Sequence, residues 1–172
     1  MSLKIRGTAT CGDCGAKSTH ELFRSIWGEN PYNRDLVFSD KINRLTCPQC
    51  GRVALAATSL MYTNADLLFA VWYEPEHDQQ IDDDNKDPKM RELVARTGAT
   101  HLLDATRVPE WEQFKEMIRK YERGELVTEA YKLKQRAASS PPTKRGCMGV
   151  VMSVAAMTLV IGLIFLLVHL VL

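Results

Sequence analysis

Two Cys-x-x-Cys pairs, a series of amphipathic segments and an apolar C-terminus predict an α+β fold with one membrane span. The cysteine pairs lie among strand-like segments in residues 1–75, which predicts a small β zinc ribbon. Helical periodicity begins after Pro88 and predicts a short helical region. Residues 148–172 contain no Asp, Glu, Lys or Arg, which predicts one C-terminal transmembrane helix.

The charges of the chain are nearly balanced. There are 22 Lys and Arg against 21 Asp and Glu, which gives a formal net charge of +1. Nucleic acid is therefore not an expected partner, because such binding needs an excess of cations to neutralise phosphates. Ten glycines and seven prolines are too few for a collagenous or low-complexity chain. The composition is typical of one folded domain joined to a membrane segment.

Strand patterns dominate residues 1–75. Apolar and basic residues alternate at positions 3–6, and residues 36–38 form a short apolar run. Residues 59–63 and 67–73 are two further apolar segments separated by Asn, Ala and Asp, which predicts a β-hairpin. This part of the chain is therefore predicted to be the β ribbon domain.

Helical patterns dominate residues 88–134. Asp87 and Pro88 form a good N-cap and first-turn pair, and Gly98 is a natural stop for the helix that they begin. A second helix is predicted to begin near Pro109, with its apolar residues on one face, and a third follows it. We interpret the apolar faces as core.

Two segments lack hydrophobic periodicity. Residues 76–87 are acidic and are expected to form a solvated linker. Residues 135–147 are rich in proline, serine and basic residues and are expected to form a tether. Beyond them, the segment from Met148 to Leu172 would rise about 1.5 Å per residue as a helix, enough to cross a hydrocarbon core of about 30 Å.

A membrane span at this position predicts a tail-anchored, single-pass protein that contacts the lipid bilayer through Met148 to Leu172. The N-terminus lacks the apolar stretch of a signal peptide. Lys144 and Arg145 directly precede the apolar segment, and basic flanks remain on the cytoplasmic side. We therefore expect a cytoplasmic N-terminal domain, with a bacterial inner membrane as the location.

The cysteines carry the sharpest chemical signal. Cys11 and Cys14 form one pair, Cys47 and Cys50 form the other, and a glycine directly follows each pair. Zinc prefers four tetrahedral ligands and binds thiolates, and a two-residue gap lets one tight turn direct both sulfurs to one point. Glycine adopts the positive φ that such turns use. The spacing predicts one structural zinc ion bound by all four thiolates.

The segment after the first cysteine pair also carries a family resemblance. Residues 45–51 read Leu-Thr-Cys-Pro-Gln-Cys-Gly, residues 59–66 contain a short Leu-Met-Tyr strand with a turn, and residues 67–75 form an apolar strand that ends at proline. Over about residues 8–75 the sequence resembles the CpXC family of cysteine-paired, zinc-binding bacterial domains. The resemblance implies the same four metal ligands: Cys11, Cys14, Cys47 and Cys50.

A four-sulfur zinc site has no open coordination position, so it favours a structural role over catalysis. The chain also has no phosphate-binding glycine loop, HExxH or GxSxG motif, and we predict no catalytic residue. The favoured interpretation is a membrane-tethered interaction module that recruits a protein partner, whose identity the sequence does not give.

Two alternatives remain at this level. In the first, the chain is a membrane-associated thiol redox protein in which Cys47 attacks and Cys50 resolves. In the second, the ribbon binds nucleic acid through basic residues near the cysteines: Arg6, Lys17, Arg44 and Arg52.

Overall fold

A long antiparallel hairpin opens the fold. The computed structural model describes residues 2–139, and it begins with strands β1 (Leu3–Thr10) and β2 (Lys17–Trp27). The first cysteine pair lies in the turn that joins them. The strand predicted from the alternation at residues 3–6 is confirmed, whereas β2 was not predicted from the sequence.

Helix α1 (Pro31–Phe38) follows β2. The Asn30 side chain accepts a hydrogen bond from the Tyr32 N–H and so caps the N-terminus of the helix. Pro31 occupies the first turn, where the φ fixed by its ring already suits a helix. Residues 36–38 were expected to favour a strand, and that expectation is wrong. They form the last turn of α1, where Val37 is fully buried.

The second cysteine pair lies between two short strands, β3 (Arg44–Thr46) and β4 (Val53–Leu55), which form a separate two-stranded ribbon. The predicted hairpin then follows as β5 (Leu60–Asn64) and β6 (Phe69–Tyr73), and it is confirmed. Because β5 pairs in parallel with β2, the connection between them must cross over, and it contains both α1 and the ribbon.

Helices and one more strand complete the described chain. In chain order they are α2 (Gln79–Lys86), α3 (Pro88–Thr97), a single 3₁₀ turn (Thr100–Leu102), β7 (Thr106–Val108), α4 (Trp111–Glu122) and α5 (Glu129–Ser139). The expected start and stop of α3 are confirmed, since Asp87 caps it and Gly98 ends it with positive φ.

Helix α2 occupies most of the stretch that was expected to be a solvated linker. The Asp78 side chain accepts a hydrogen bond from the Gln80 N–H and caps the helix. Ile81 is 2% exposed, so one apolar residue in an acidic segment anchors α2 to the rest of the fold.

The five-stranded sheet has the order β1-β2-β5-β6-β7, and β7 pairs in parallel with β6. A strand from the predicted helical region therefore belongs to the same sheet as the N-terminal strands. Helix α4 packs against β6, with Tyr73 contacting Trp111 and Phe69 stacking on Tyr121. The fully buried centre of this core includes Tyr62, Phe69, Phe114, Ile118 and Val71.

These observations correct the predicted fold class and location. The fold is mixed α+β, not a small ribbon with a separate helical region and a membrane helix. Among residues 2–139, no helix combines the length and apolar character needed to cross a membrane. The transmembrane helix predicted from Met148 to Leu172 lies outside the described residues. The structure therefore lends no support to a tail anchor or to the membrane location inferred from it.

Candidate metal centre

The first cysteine pair is held by the turn that closes the β1–β2 hairpin. The Cys11 N–H donates to the Ala16 carbonyl at 2.8 Å, and the Gly15 N–H donates to the Cys11 carbonyl at 2.9 Å. Gly15 has a φ of 72°, which a glycine adopts without the steric cost of a side chain. The turn therefore needs the glycine that follows the pair.

The second pair is held by a turn of the same type, which joins β3 to β4. The Cys47 N–H donates to the Arg52 carbonyl at 2.8 Å, and the Gly51 N–H donates to the Cys47 carbonyl at 3.0 Å. Gly51 has a φ of 75°. Two short Cys-x-x-Cys-Gly segments, placed on separate hairpins, thus give two equivalent turns.

The two turns bring all four sulfurs together. Cys11 Sγ lies 3.6 Å from Cys50 Sγ, and Cys14 Sγ lies 3.6 Å from Cys47 Sγ. All four sulfurs lie within 4.8 Å of one another, and all four thiols are free. A disulfide would need about 2.05 Å, whereas thiolates arranged tetrahedrally around zinc lie about 3.8 Å apart. This four-cysteine cluster could hold a metal ion.

The backbone favours a thiolate at one position of the cluster. N–H groups of Cys50 and Gln49 donate to the Cys47 sulfur and lower its pKa to about 6. At Cys50, the Arg52 N–H acts in the same direction, but the neighbouring sulfurs of Cys47 and Cys11 outweigh it and raise the pKa to about 12. Four thiolates therefore cannot coexist here at neutral pH unless a cation offsets their repulsion.

An ion pair joins the two turns. Asp13, between the first two cysteines, accepts a hydrogen bond from Arg52, which directly follows the second turn. Both side chains are about half exposed. From the sequence, Arg52 was expected only as a possible nucleic-acid contact. Its pairing with Asp13 could not be predicted, because one sequence does not show which residues of two hairpins meet.

A histidine and basic residues near the cysteines have partners outside the sulfur cluster. His20 is not part of the sulfur cluster, and its Nε2 lies 2.7 Å from the Ser18 hydroxyl. Of the basic residues proposed for nucleic-acid binding, Arg44 donates to the Asp40 carbonyl at 2.8 Å. With Arg52 bound to Asp13, two of those four basic side chains are engaged within the fold.

Comparison with known families gives one match. The CpXC protein family model matches residues 9–132. The match includes both cysteine turns, the whole of β7 and α4 and the start of α5, so it extends well beyond the resemblance seen over residues 8–75. Comparisons with curated proteins and with solved structures found no match.

Proposed function

Since the chain belongs to the CpXC protein family, we propose that its four cysteines hold one structural zinc ion and that the domain built around this ion binds a protein partner. One observation carries the proposal: sulfurs that are 33 and 39 residues apart in sequence approach to 3.6 Å. A metal at this point ties the β1–β2 hairpin to the β3–β4 ribbon.

Zinc fits this donor set best. Four thiolates in a tetrahedral arrangement are typical of structural zinc sites, and the 3.6 Å separations are close to those expected around a zinc ion. A mononuclear iron or iron-sulfur site also uses cysteine ligands, so metal analysis must separate these cases.

The first test is metal content. Residues 1–145 purified without chelator should contain one zinc per chain, and the four cluster thiols should react with an alkylating reagent only after a chelator is added. This fragment ends before Cys147, so only the four cluster thiols are counted. Iron in place of zinc would contradict the metal assignment. Absence of metal together with rapid alkylation of Cys47 would favour the thiol redox alternative.

Support for a binding role comes from the closed site and the exposed surface around it. A metal with four protein ligands leaves no position for a substrate. Val53, which directly follows the second turn, is 56% exposed, and Leu3 and Ile5 on β1 are also more than a third exposed. Exposed apolar surface beside a rigid metal site is a common feature of interaction modules.

The second test is partner capture. The zinc-loaded chain, carrying a photo-crosslinker, should form a defined adduct with one or a few proteins of its source cell. The Cys11→Ser chain, which lacks one ligand, should lose that adduct. Equal adducts from both chains would show that the partner does not recognise the zinc-bound fold, and no adduct from either would contradict the binding role.

A further inference from the structure

Strand β1 forms one end of the five-stranded sheet. It pairs with β2 on one side, and among residues 2–139 no strand pairs with its other side. It is eight residues long and contains no proline. A long edge strand is a template for pairing with another extended chain, and proteins usually shorten or cover such edges.

The outward-facing backbone groups of β1 can be identified. The Cys11 N–H bonds to the Ala16 carbonyl, which sets the phase of the antiparallel ladder. Residues that bond to β2 then recur at every second position, so Thr8 and Arg6 lie between them and direct their N–H and C=O groups away from β2. These are the groups that an added strand would bond.

One face of β1 is apolar. Ile5, Gly7 and Ala9 line a cavity of about 310 Å³ between the β1–β2 hairpin and the β3–β4 ribbon. Most of the other lining residues are small or aliphatic: Leu22, Leu45, Ala56 and Ala57. Ile5 is 38% exposed, and Leu3, further along the strand, is 55% exposed. Alternate side chains of an added strand would extend this apolar surface.

The opposite face of β1 is basic. Lys4 and Arg6 occupy it, and no acidic residue occurs in β1. Glu21 of β2 lies opposite Arg6 in the strand register, and its carboxylate forms a long ion pair with Lys4 at 3.5 Å. Exposed Arg6 has no ion pair within residues 2–139, so the face carries more positive than negative charge. A second copy of this chain would bring two more cations to the same edge. Acidic side chains, in contrast, would complement it.

We propose that β1 binds an extended segment of a partner protein as an added sixth strand, in which apolar residues alternate with acidic ones. The apolar residues lie on the face of Ile5, Gly7 and Ala9, and the acidic residues lie beside Arg6 and Lys4. The inference rests on the proposed function as a protein-binding module, and it assigns the surface and the class of partner.

Two substitutions at one position test the backbone contact. In the zinc-loaded full chain, Thr8→Pro removes an N–H that faces solvent, a change that edge strands tolerate. Thr8→Val keeps that N–H and serves as the matched control. The probe is a fluorescein-labelled peptide, Val-Glu-Ile-Glu-Val-Glu-Ile, and the readout is its anisotropy. We expect Thr8→Pro to weaken binding about tenfold, and Thr8→Val to leave it within about twofold.

The charge contact has a separate test, which also applies if Thr8→Pro fails to fold. The wild-type chain should bind the glutamate peptide more tightly than its lysine counterpart, Val-Lys-Ile-Lys-Val-Lys-Ile. Arg6→Glu should reduce or reverse that preference. The proposal is overturned if neither peptide binds, if the two peptides bind equally, or if Thr8→Pro and Thr8→Val bind alike when both retain zinc.

Further readouts separate this proposal from its premise. If crosslinked partners are captured equally by wild type and Thr8→Pro, the protein-binding function stands and the β1 surface is wrong. If the wild-type chain captures no partner and binds no peptide, both fail. Sedimentation should show a monomer for wild type, and a dimer that Thr8→Pro dissociates would assign the edge to a second copy instead.

Discussion

The helix-covered part of the sheet and the two cysteine turns are stabilised in different ways. Under α4, the rings of Tyr62, Phe69 and Phe114 are fully buried; Tyr62 stacks on Phe69, and Phe114 packs against Tyr73. At the turns, Cys14 and Cys50 are exposed, and β3 and β4 have only three residues each. Burial of apolar surface therefore stabilises the first region, whereas the second has little to bury.

This difference shows how a small domain can extend hairpins beyond its hydrophobic core. Helix α4 packs on β6 and β7, whereas the turn of the β1–β2 hairpin contributes two ligands to the sulfur cluster. A metal can replace a local core there, because metal binding supplies folding free energy directly. The two regions should then respond to different perturbations: loss of a metal ligand should affect the cysteine turns, and truncation of a core side chain should affect the helix-covered sheet.

The largest effect is expected from removing a ligand. Cys11→Ser and Cys50→Ser should each abolish stoichiometric zinc binding, since each removes one of four ligands. Hydrogen exchange should increase strongly in both cysteine turns and much less in β5, β6 and α4. Cys147→Ser, at the one cysteine of the sequence that belongs to neither Cys-x-x-Cys pair, is the matched control and should retain zinc. Global loss of protection in the cysteine variants would show that the two regions unfold together.

Truncation of a core side chain should destabilise the helix-covered sheet and leave zinc binding unchanged. Phe114 is fully buried in α4, so Phe114→Ala should lower the free energy of unfolding by about 3–5 kcal/mol. Leu133→Ala, at a side chain that is 60% exposed, should change it by less than about 0.5 kcal/mol. Urea unfolding measures both. Zinc content should stay at its wild-type value in Phe114→Ala under native conditions, and loss of zinc there would contradict the separation.

Cys47 should contribute to the pH dependence of the stability of the metal-free chain. Its pKa is lowered from the ordinary value of 9.0 to about 6 by the backbone N–H groups of Cys50 and Gln49. The folded state thus favours the thiolate, so this contribution to stability is present above about pH 9 and is lost as the pH falls through about 6. Metal-free protein should gain stability between pH 6 and pH 8. In urea titrations, Cys47→Ser should reduce that gain, whereas the part due to buried His101, whose pKa is lowered by desolvation, should remain. An unchanged profile would contradict the assignment.

The smallest effect is expected from the ion pair that joins the turns. Asp13 and Arg52 are each about half exposed, so Arg52→Ala should cost no more than about 1 kcal/mol of stability. Competition with a chelator should show slightly weaker zinc retention at low salt and none of this difference at high salt. The double variant Asp13→Ala/Arg52→Ala should have the same free energy of unfolding as Arg52→Ala alone. Additive losses would show that the two residues act independently.

The sequence predicted the local features of this fold more reliably than the contacts between segments that are distant in sequence. Convergence of the two cysteine pairs followed from their spacing, and the β5–β6 hairpin followed from two apolar segments around a turn. The limits of α3 followed from Asp87 and Gly98, whose local chemistry is independent of the rest of the fold.

The features that were missed depend on distant residues. The apolar run at residues 36–38 is compatible with either a strand or a helix. The helix forms because Asn30 caps its start and Val37 is buried against the core. Strand β7 has three residues and exists because it pairs with β6. The contact between Asp13 and Arg52 joins two hairpins that are distant in sequence. None of these pairings leaves a periodic signal in the chain.

The position of the second cysteine turn inside the β2–β5 connection also affects the order in which the sheet can assemble. These strands are parallel, with Ser25 opposite Met61, so a long connection must close before their ladder forms. A metal that joins Cys14 to Cys47 closes 33 residues of chain in a single step. Zinc present at the start of refolding should therefore speed the pairing of β2 with β5. The ion would then contribute to the folding rate as well as to the stability of the folded state.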